Sequence, residues 1–311
     1  MSSTGTSSDE TTATGAPRPG GPGLLAGRTV SRIGYGAMQL RQNTDRAAGI
    51  AMLRRVVELG VDHIDTAEFY GPANDLIREA IRPEDGVLVA SKVGADPDPV
   101  GPVPLRLAQR PEQLRASVEV NLKSLGLDAI PLVNLRRTDT GPGVRAAGDQ
   151  LVDLDDQLAT MVELRDEGKI GVIGLSGVSL DVLRRALPAG IACVQNAYSL
   201  VSRDDEEILA LCAAEGIAWV PFFPLGGDLP GLPKVTDEQA VLDVAESLGA
   251  TPMQVGLAWL LHHAPNVLLI AGTSNPEHLQ ANVDAGAIRF DAETLAALDA
   301  VPSRSGDILL G

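Results

Sequence analysis

Eight short apolar runs recur along this chain, each followed by a helix-like segment or a loop, and that alternation limits its fold more than any other feature. The runs cover residues 28–38, 61–65, 87–92, 130–136, 171–176, 193–196, 218–222 and 267–271. Between them, 45–59 carries Ile50, Leu53, Val56 and Val57 at helical spacing, and 111–125 opens on Pro111, a residue favoured in a first helical turn. Further helices are expected over 74–81, 150–167 (stopped by Gly168), 180–186, 204–215, 237–248 and 252–263, with another from 277. Strictly alternating β and α units with eight strands predict an α/β protein built as a single (β/α)8 TIM barrel. A doubly wound sheet is the alternative. Against it, the Gly34-x-Gly36 pair lacks the third glycine of a dinucleotide-binding fingerprint.

The 311 residues show no composition break after residue 23, so the barrel is expected to fill 24–311 as one domain. Residues 1–23 are rich in Ser, Thr, Gly and Pro with no apolar segment, and are expected to form a disordered tail rather than a signal peptide. A net charge of −16, from 25 basic and 41 acidic residues, argues against nucleic acid or an anionic membrane as partner. No apolar run approaches the roughly 18 residues that a membrane span needs. Cys193 and Cys212 lack metal-ligand spacing and sit in apolar runs, which suits reduced thiols in a cytoplasmic protein. Composition therefore points to small-molecule chemistry, and oligomeric state is not legible.

The stretch from Val61 to Gly71 concentrates the chemistry. A strand ends in Asp65, and Tyr70 follows just before a Gly71-Pro72 turn. Strand alternation puts Val61, His63 and Asp65 on one face and Ile64 on the other. The run 87–92 ends in Lys92. Taken singly, Asp65 is as well explained as a turn cap, Tyr70 as a packing residue and Lys92 as a solvated strand end. Together, an acid, a phenol and an amine at one rim form a device for lowering a phenol's pKa. His63 is expected to pack in the core and His262 and His263 to lie at a helix end. With no converging Cys or acid cluster, no metal site is expected.

Several blocks, in order, resemble the aldo-keto reductase family: Ile64-Asp65-Thr66-Ala67-Glu68-Phe69-Tyr70-Gly71, Val89-Ala90-Ser91-Lys92, Gly174-Leu175-Ser176, Val194-Gln195-Asn196-Ala197-Tyr198-Ser199, Val220-Pro221-Phe222-Phe223-Pro224-Leu225-Gly226 and Gly272-Thr273-Ser274-Asn275-Pro276-Glu277-His278. The resemblance implies a barrel that binds NADP(H), less often NAD(H), and reduces aldehydes and ketones or oxidises the matching alcohols. It implies Tyr70 as general acid, with Lys92 and Asp65 supporting it. It also implies cofactor contacts from Gly36, Ala37, Met38 and Asp65, and from Ser176 and Gln195 to a nicotinamide carboxamide. Phe222 would stack on the ring, Pro224, Leu225, Gly226 and Gly227 would follow the pyrophosphate, and Gly272, Thr273, Ser274, His278 and Asn282 would hold the adenosine end.

Two positions depart from the family pattern. The block 127–136 places Arg136 where a catalytic histidine is usual, with Leu132, Asn134 and Arg136 expected to point inward. A guanidinium stays charged and offers a fork of donors, so it can orient a carbonyl or bind an anionic oxygen, though it cannot act as a neutral imidazole. The block Val133-Asn134-Leu135-Arg136 is similar to that of bacterial pyridoxal-reducing members. The second departure is Gly177, where an asparagine is usual. Two other functions are compatible with the residues: a cofactor-binding sensor with little turnover, and an aldolase-type barrel using Lys92 as a Schiff-base amine.

Overall fold

The computed structural model describes residues 10–42, 45–98, 100–101, 103–140, 144–227 and 231–304. In chain order, a hairpin of β1 (Pro22–Leu25) and β2 (Arg28–Ser31) leads to β3 (Ile33–Gly36), α1 (Arg46–Glu58), β4 (His63–Asp65), α2 (Ala73–Ala80) and β5 (Leu88–Val93). A second hairpin, β6 (Ala95–Pro97) and β7 (Leu105–Leu107), precedes α3 (Pro111–Leu125), β8 (Ile130–Arg136), α4 (Leu154–Asp166), β9 (Ile170–Ser176) and α5 (Leu180–Ala186). Then come β10 (Ile191–Gln195), α6 (Glu206–Ala214), β11 (Ala218–Trp219), α7 (Gln239–Leu248), α8 (Pro252–His263), β12 (Leu269–Ile270), α9 (Pro276–Asp284) and α10 (Ala292–Asp299).

Eight of these strands form one parallel sheet in the order β11-β10-β9-β8-β5-β4-β3-β12, so all their carboxyl ends share one rim. The sheet curls until its two outer strands come within bonding reach. Trp219 N–H donates to the Asn266 carbonyl at 2.9 Å, and Leu268 N–H donates to the Trp219 carbonyl at 2.8 Å. The last two strands are shorter than the runs 218–222 and 267–271 because regular pairing there gives way to single parallel bridges, Trp219 with Val267 and Ala197 with Phe222.

Strand alternation sorts the apolar residues into two cores. Ile64, Val89, Val133, Leu135, Ile173, Leu175 and Val194 face outward and pack under the helices. α1 meets them with Met52, Leu53, Val56 and Val57, the i, i+1, i+4, i+5 stripe of an amphipathic helix. Inside the curl, Leu88, Ala90, Leu132, Cys193, Ala218, Val220 and Leu268 form a separate cluster, closed at the amino-terminal end by Leu25 and Val30 of the first hairpin. That hairpin's first strand lies outside the eight expected runs, and its second is the start of the run 28–38, which divides into β2 and β3. Its turn holds Ala26 at φ 52° and Gly27 at φ 72°, the paired positive φ that a tight two-residue hairpin turn requires.

From Glu10 onward, the segment expected as a tail is bonded to the rest of the chain. The Arg18 guanidinium donates to Asp62 Oδ2 at 3.1 Å, with both side chains under one-tenth exposed, and Asp62 Oδ1 also accepts from the Ser31 amide and hydroxyl. This segment therefore seals the base of the sheet; residues 1–9 lie outside the described residues. Two smaller shifts have local causes. α4 starts at Leu154 rather than 150 because the Asp153 carboxylate caps the Asp155 amide. The Pro/Gly-rich run 94–109 carries the paired strands β6 and β7, with Gly94 at φ 100° turning the chain from β5 into β6.

Candidate active site

Strand register, more than any single residue, assembles the site. Across the rim, Gly36 pairs with Asp65, Lys92 with Asn134, Arg136 with Ser176, and Ser176 with Gln195. The members of each pair, far apart in sequence, thus stand side by side on neighbouring strands. Lys92 Nζ donates to Asp65 Oδ1 and, at 3.3 Å, to the Thr66 carbonyl; both members of this ion pair are buried, 6% and 2% exposed. The other carboxylate oxygen, Asp65 Oδ2, accepts from Gln195 Nε2 at 2.7 Å. Burial works against the lysine's charge. The attraction of Asp65, joined by that of the Tyr70 oxygen, outweighs it and holds the Lys92 pKa above its ordinary 10.5. Lys92 is accordingly an ammonium at neutral pH.

Tyr70 reaches this pair from the turn after β4. Its N–H bonds to the Ala67 carbonyl at 3.0 Å, its ring meets Phe69 edge-on at 4.9 Å, and Lys92 Nζ lies 5.3 Å from its ring centre. Acid, amine and phenol therefore converge as the sequence led one to expect. Arg136 joins them, partly exposed to the cleft, with its guanidinium carbon 5.5 Å from the centre of the Phe69 ring. Burial lowers its pKa, and the Tyr70 oxygen partly opposes that.

Beneath this layer lie polar side chains with unspent hydrogen-bonding capacity. Asn134 is fully buried and neither amide atom has a partner; both ring nitrogens of His63 and the Oε1 atom of Gln195 are likewise unpartnered. His63 is desolvated and its pKa is lowered, against the pull of Asp62 and Asp65, so it packs as a neutral ring. Two glycines make room for these groups. A Cβ on Gly34 would fall 2.0 Å from His63 Nε2, and one on Gly174 would fall 2.0 Å from Asn134 Oδ1. Cys193, in the same interior, is pushed well above its ordinary pKa by burial and by Asp65, and is an inert thiol.

The remaining candidates lie at or beyond the carboxyl ends of the strands. Gly36, at the end of β3, and Gly272, after β12, touch through backbone alone: a Cβ on Gly272 would lie 2.3 Å from the Gly36 carbonyl oxygen. Ala37 and Met38 begin the helical turn after β3, and Tyr35 below them donates to the Thr273 carbonyl at 2.7 Å. The Thr273 hydroxyl accepts from the Asn275 amide at 3.0 Å, and Ser274 and His278 are exposed. His278 and Asn282 lie four positions apart on one face of α9. Phe222 meets Phe223 edge-on at 5.2 Å, and Phe223 takes φ 55° as the chain turns into Pro224 and Leu225. Gly226 at φ 96° presses on the Pro233 carbonyl, where no side chain fits. Gly177, the second departure, is explained locally: φ is 68° and a Cβ would sit 2.7 Å from the Arg137 carbonyl oxygen. Among the described residues, no group of three or more His, Cys, Asp or Glu side chains could hold a metal.

The sequence model of the Aldo/keto reductase family matches residues 32–302, nearly the whole of the sheet and its helices. The chain belongs to the aldo-keto reductase family. Pyridoxine 4-dehydrogenase of Escherichia coli K12 is 41% identical over 288 residues, covering 89% of this chain and 96% of that relative. An uncharacterized oxidoreductase of Schizosaccharomyces pombe is 34% identical over 282 residues, covering 87% and 86%. Among solved structures, an aldo-keto reductase from Klebsiella pneumoniae in complex with NADPH superposes with a TM-score of 0.75 at 25% identity, covering 91% of this chain and 96% of that one. A thermostable aldo-keto reductase in complex with the inhibitor epalrestat gives 0.74 at 27% identity, covering 90% and 99%.

Two contributors at this aldo-keto reductase rim escaped the sequence. Gln109 Nε2 donates to the Gly94 carbonyl at 2.6 Å and the Arg136 carbonyl at 2.8 Å, tying the ends of β5 and β8 together. Phe69 supplies the face under Arg136. No periodicity marks Gln109, which sits in a Pro/Gly-rich stretch. Phe69 was visible only as a neighbour of Tyr70.

Proposed function

We propose that this aldo-keto reductase is an NADP(H)-dependent oxidoreductase that interconverts aldehydes or ketones and alcohols, with Tyr70 as its acid and base. The observation that carries this reading is the buried Lys92–Asp65 pair placed against the Tyr70 ring. A free phenol near pKa 10 is a poor proton donor at neutral pH. An ammonium held charged beside it stabilises the phenolate left after the proton moves. Tyr70 then gives its proton to the carbonyl oxygen in reduction and takes it back in oxidation. Asp65 acts on Lys92, not on substrate: its carboxylate keeps the amine protonated in a buried place. The same charge opposes the aldolase alternative, because a Schiff-base lysine must attack as the neutral amine.

The bound cofactor supplies or accepts the hydride at the substrate carbon. Its fit is supported by Gln195, whose Oε1 is a buried, unpartnered acceptor suited to a carboxamide N–H, with Ser176 beside it in the register. Phe222 offers a ring face, Pro224, Leu225, Gly226 and Gly227 a glycine-shaped turn, and Gly36, Ala37 and Met38 the opposite wall. Gly272, Thr273, Ser274, His278 and Asn282 would take the adenosine end. Their hydroxyl and imidazole donors, with no acid before Glu277, favour a 2′-phosphate and hence NADPH over NADH. The neighbour crystallised with NADPH agrees with this assignment. The name of the Escherichia coli relative suggests pyridoxine and its aldehyde as the substrate pair to try first.

The scaffold in this reading is a closed (β/α)8 barrel of one domain, supported by the parallel bridge between Trp219 and Val267, and the free buried cysteines suit a cytoplasmic location. The test is fluorescence titration with NADPH followed by turnover with pyridoxal, 4-nitrobenzaldehyde and other aldehydes. Saturable NADPH binding with turnover supports the reading. Binding with negligible turnover on every carbonyl marks a sensor, and inactivation by borohydride plus substrate without nucleotide marks an aldolase.

A further inference from the structure

Arg136 brings a positive charge into the cleft with nothing to neutralise it. Among the described residues its guanidinium makes no ion pair and donates no hydrogen bond; it lies against the face of Phe69 and within the electrostatic reach of the Tyr70 oxygen. The next residue behaves in the opposite way: Arg137 donates to both oxygens of Asp139, at 2.7 and 3.0 Å, and to Gln157. Carboxylates are not scarce in a chain with 41 acidic and 25 basic residues. Leaving this cation unpaired and largely desolvated is costly, and a structural role would be filled at less cost by an apolar side chain of the same length.

The rest of the site does not consume the charge either. Asp65, the nearby strand-end acid, spends one oxygen on Lys92 and the other on Gln195. Gln109 holds the Arg136 carbonyl by a hydrogen bond, and Gly94 leaves room for that carbonyl, so the side chain starts from a tied strand end. A guanidinium with its donors free, backed by an aromatic ring and set beside a catalytic phenol, is built to take a planar oxyanion.

We propose that Arg136 binds an ionised oxygen substituent of the substrate, a carboxylate or phenolate carried near the reacting carbonyl, and so selects anionic aldehydes and their alcohols over uncharged ones of similar size. This rests on the oxidoreductase reading above and adds the substrate class. Arg136 is then a specificity residue that touches substrate, whereas proton transfer stays with Tyr70.

The test has a binding arm and a kinetic arm, using wild type, Arg136→Met and Arg136→Lys. Calorimetric titration of benzoate and of its uncharged counterpart benzamide, with and without NADP⁺, reads the anion site directly. Wild type should bind benzoate in clear preference to benzamide. Arg136→Met should weaken benzoate by about 10- to 100-fold, the range for losing a charged hydrogen bond, and Arg136→Lys should recover part of it. In turnover, kcat/KM for 3-carboxybenzaldehyde and for salicylaldehyde above its phenol pKa should fall by a similar factor in Arg136→Met. The loss on benzaldehyde should be about tenfold smaller than that on the anionic aldehydes, and the larger of the two anionic effects identifies the preferred oxyanion. Equal loss on charged and uncharged aldehydes, or equal binding of benzoate and benzamide by wild type, overturns the proposal. Benzoate bound through Arg136 with no aldehyde turned over upholds the anion site and sinks the redox reading. Turnover of all aldehydes without preference does the reverse.

Discussion

Replacing Asp65 by Asn deletes one charge from the centre of the site while keeping the side chain's shape. In the native protein the Lys92 ammonium donates to Asp65 Oδ1 and, at 3.3 Å, to the Thr66 carbonyl, and the Tyr70 oxygen adds its attraction. The variant leaves a buried ammonium facing neutral oxygens, and breaking a buried pair from one side costs about 3–5 kcal/mol. An asparagine has a single carbonyl oxygen, so it can accept from Lys92 or from Gln195 but not from both, and the donor left facing the amide nitrogen adds to that loss. The pH dependence separates this cause from general damage. In wild type the Lys92 pKa is raised above 10.5, so its stabilisation is complete below that value and is lost as pH climbs through the raised pKa. In Asp65→Asn the opposing attraction is gone, burial prevails, and the Lys92 pKa falls below 10.5. The unfolded chain then binds the extra proton, and stability rises with pH between the lowered pKa and 10.5. Urea unfolding at about pH 7 and pH 9.5 should therefore show a gap between the two proteins that narrows by about 1 kcal/mol or more. Asp65→Asn/Lys92→Met, lacking both charges, should recover most of the stability at neutral pH. A loss under about 1 kcal/mol at pH 7, or a gap constant across pH, refutes the idea that Asp65 holds Lys92 charged.

Tyr70→Phe should cut aldehyde turnover by at least about a hundredfold while NADPH affinity, followed by fluorescence, changes little; near-normal turnover removes Tyr70 from the chemistry. NADPH should exceed NADH in kcat/KM, and comparable efficiencies would reject the role given to Thr273, Ser274 and His278. Gly34→Ala should lose about 1–3 kcal/mol in urea unfolding because the new Cβ meets the His63 ring at 2.0–2.4 Å. His63→Ala in the same background should restore part of that, and additivity of the two changes would show that the contact is not what limits residue 34.

Local sequence determined most of the elements and singled out the polar groups that meet at the rim. The spacing of Ile50, Leu53, Val56 and Val57 is enough to make 45–59 a helix, because amphipathic periodicity needs no knowledge of its partner. Asp65, Tyr70 and Lys92 were legible only as a set, because each alone has an ordinary role while an acid, a phenol and an amine at one rim do not. What local sequence could not decide was everything set by neighbours across the sheet. That Arg136 would lack an anion while Arg137 found two oxygens depends on which strand and loop lie opposite, a fact fixed by register. The same holds for Gly34 and Gly174, which serve side chains on other strands, and for Gln109, which bonds carbonyls at two strand ends. The segment from Glu10 to Gly23 looks like a tail by composition, since a few apolar residues cannot make a core alone. Only the curled sheet, with Asp62 at its base, gives Arg18 and the first hairpin something to close. Short-range pattern writes the elements, and long-range closure decides which polar groups are left with something still to bind.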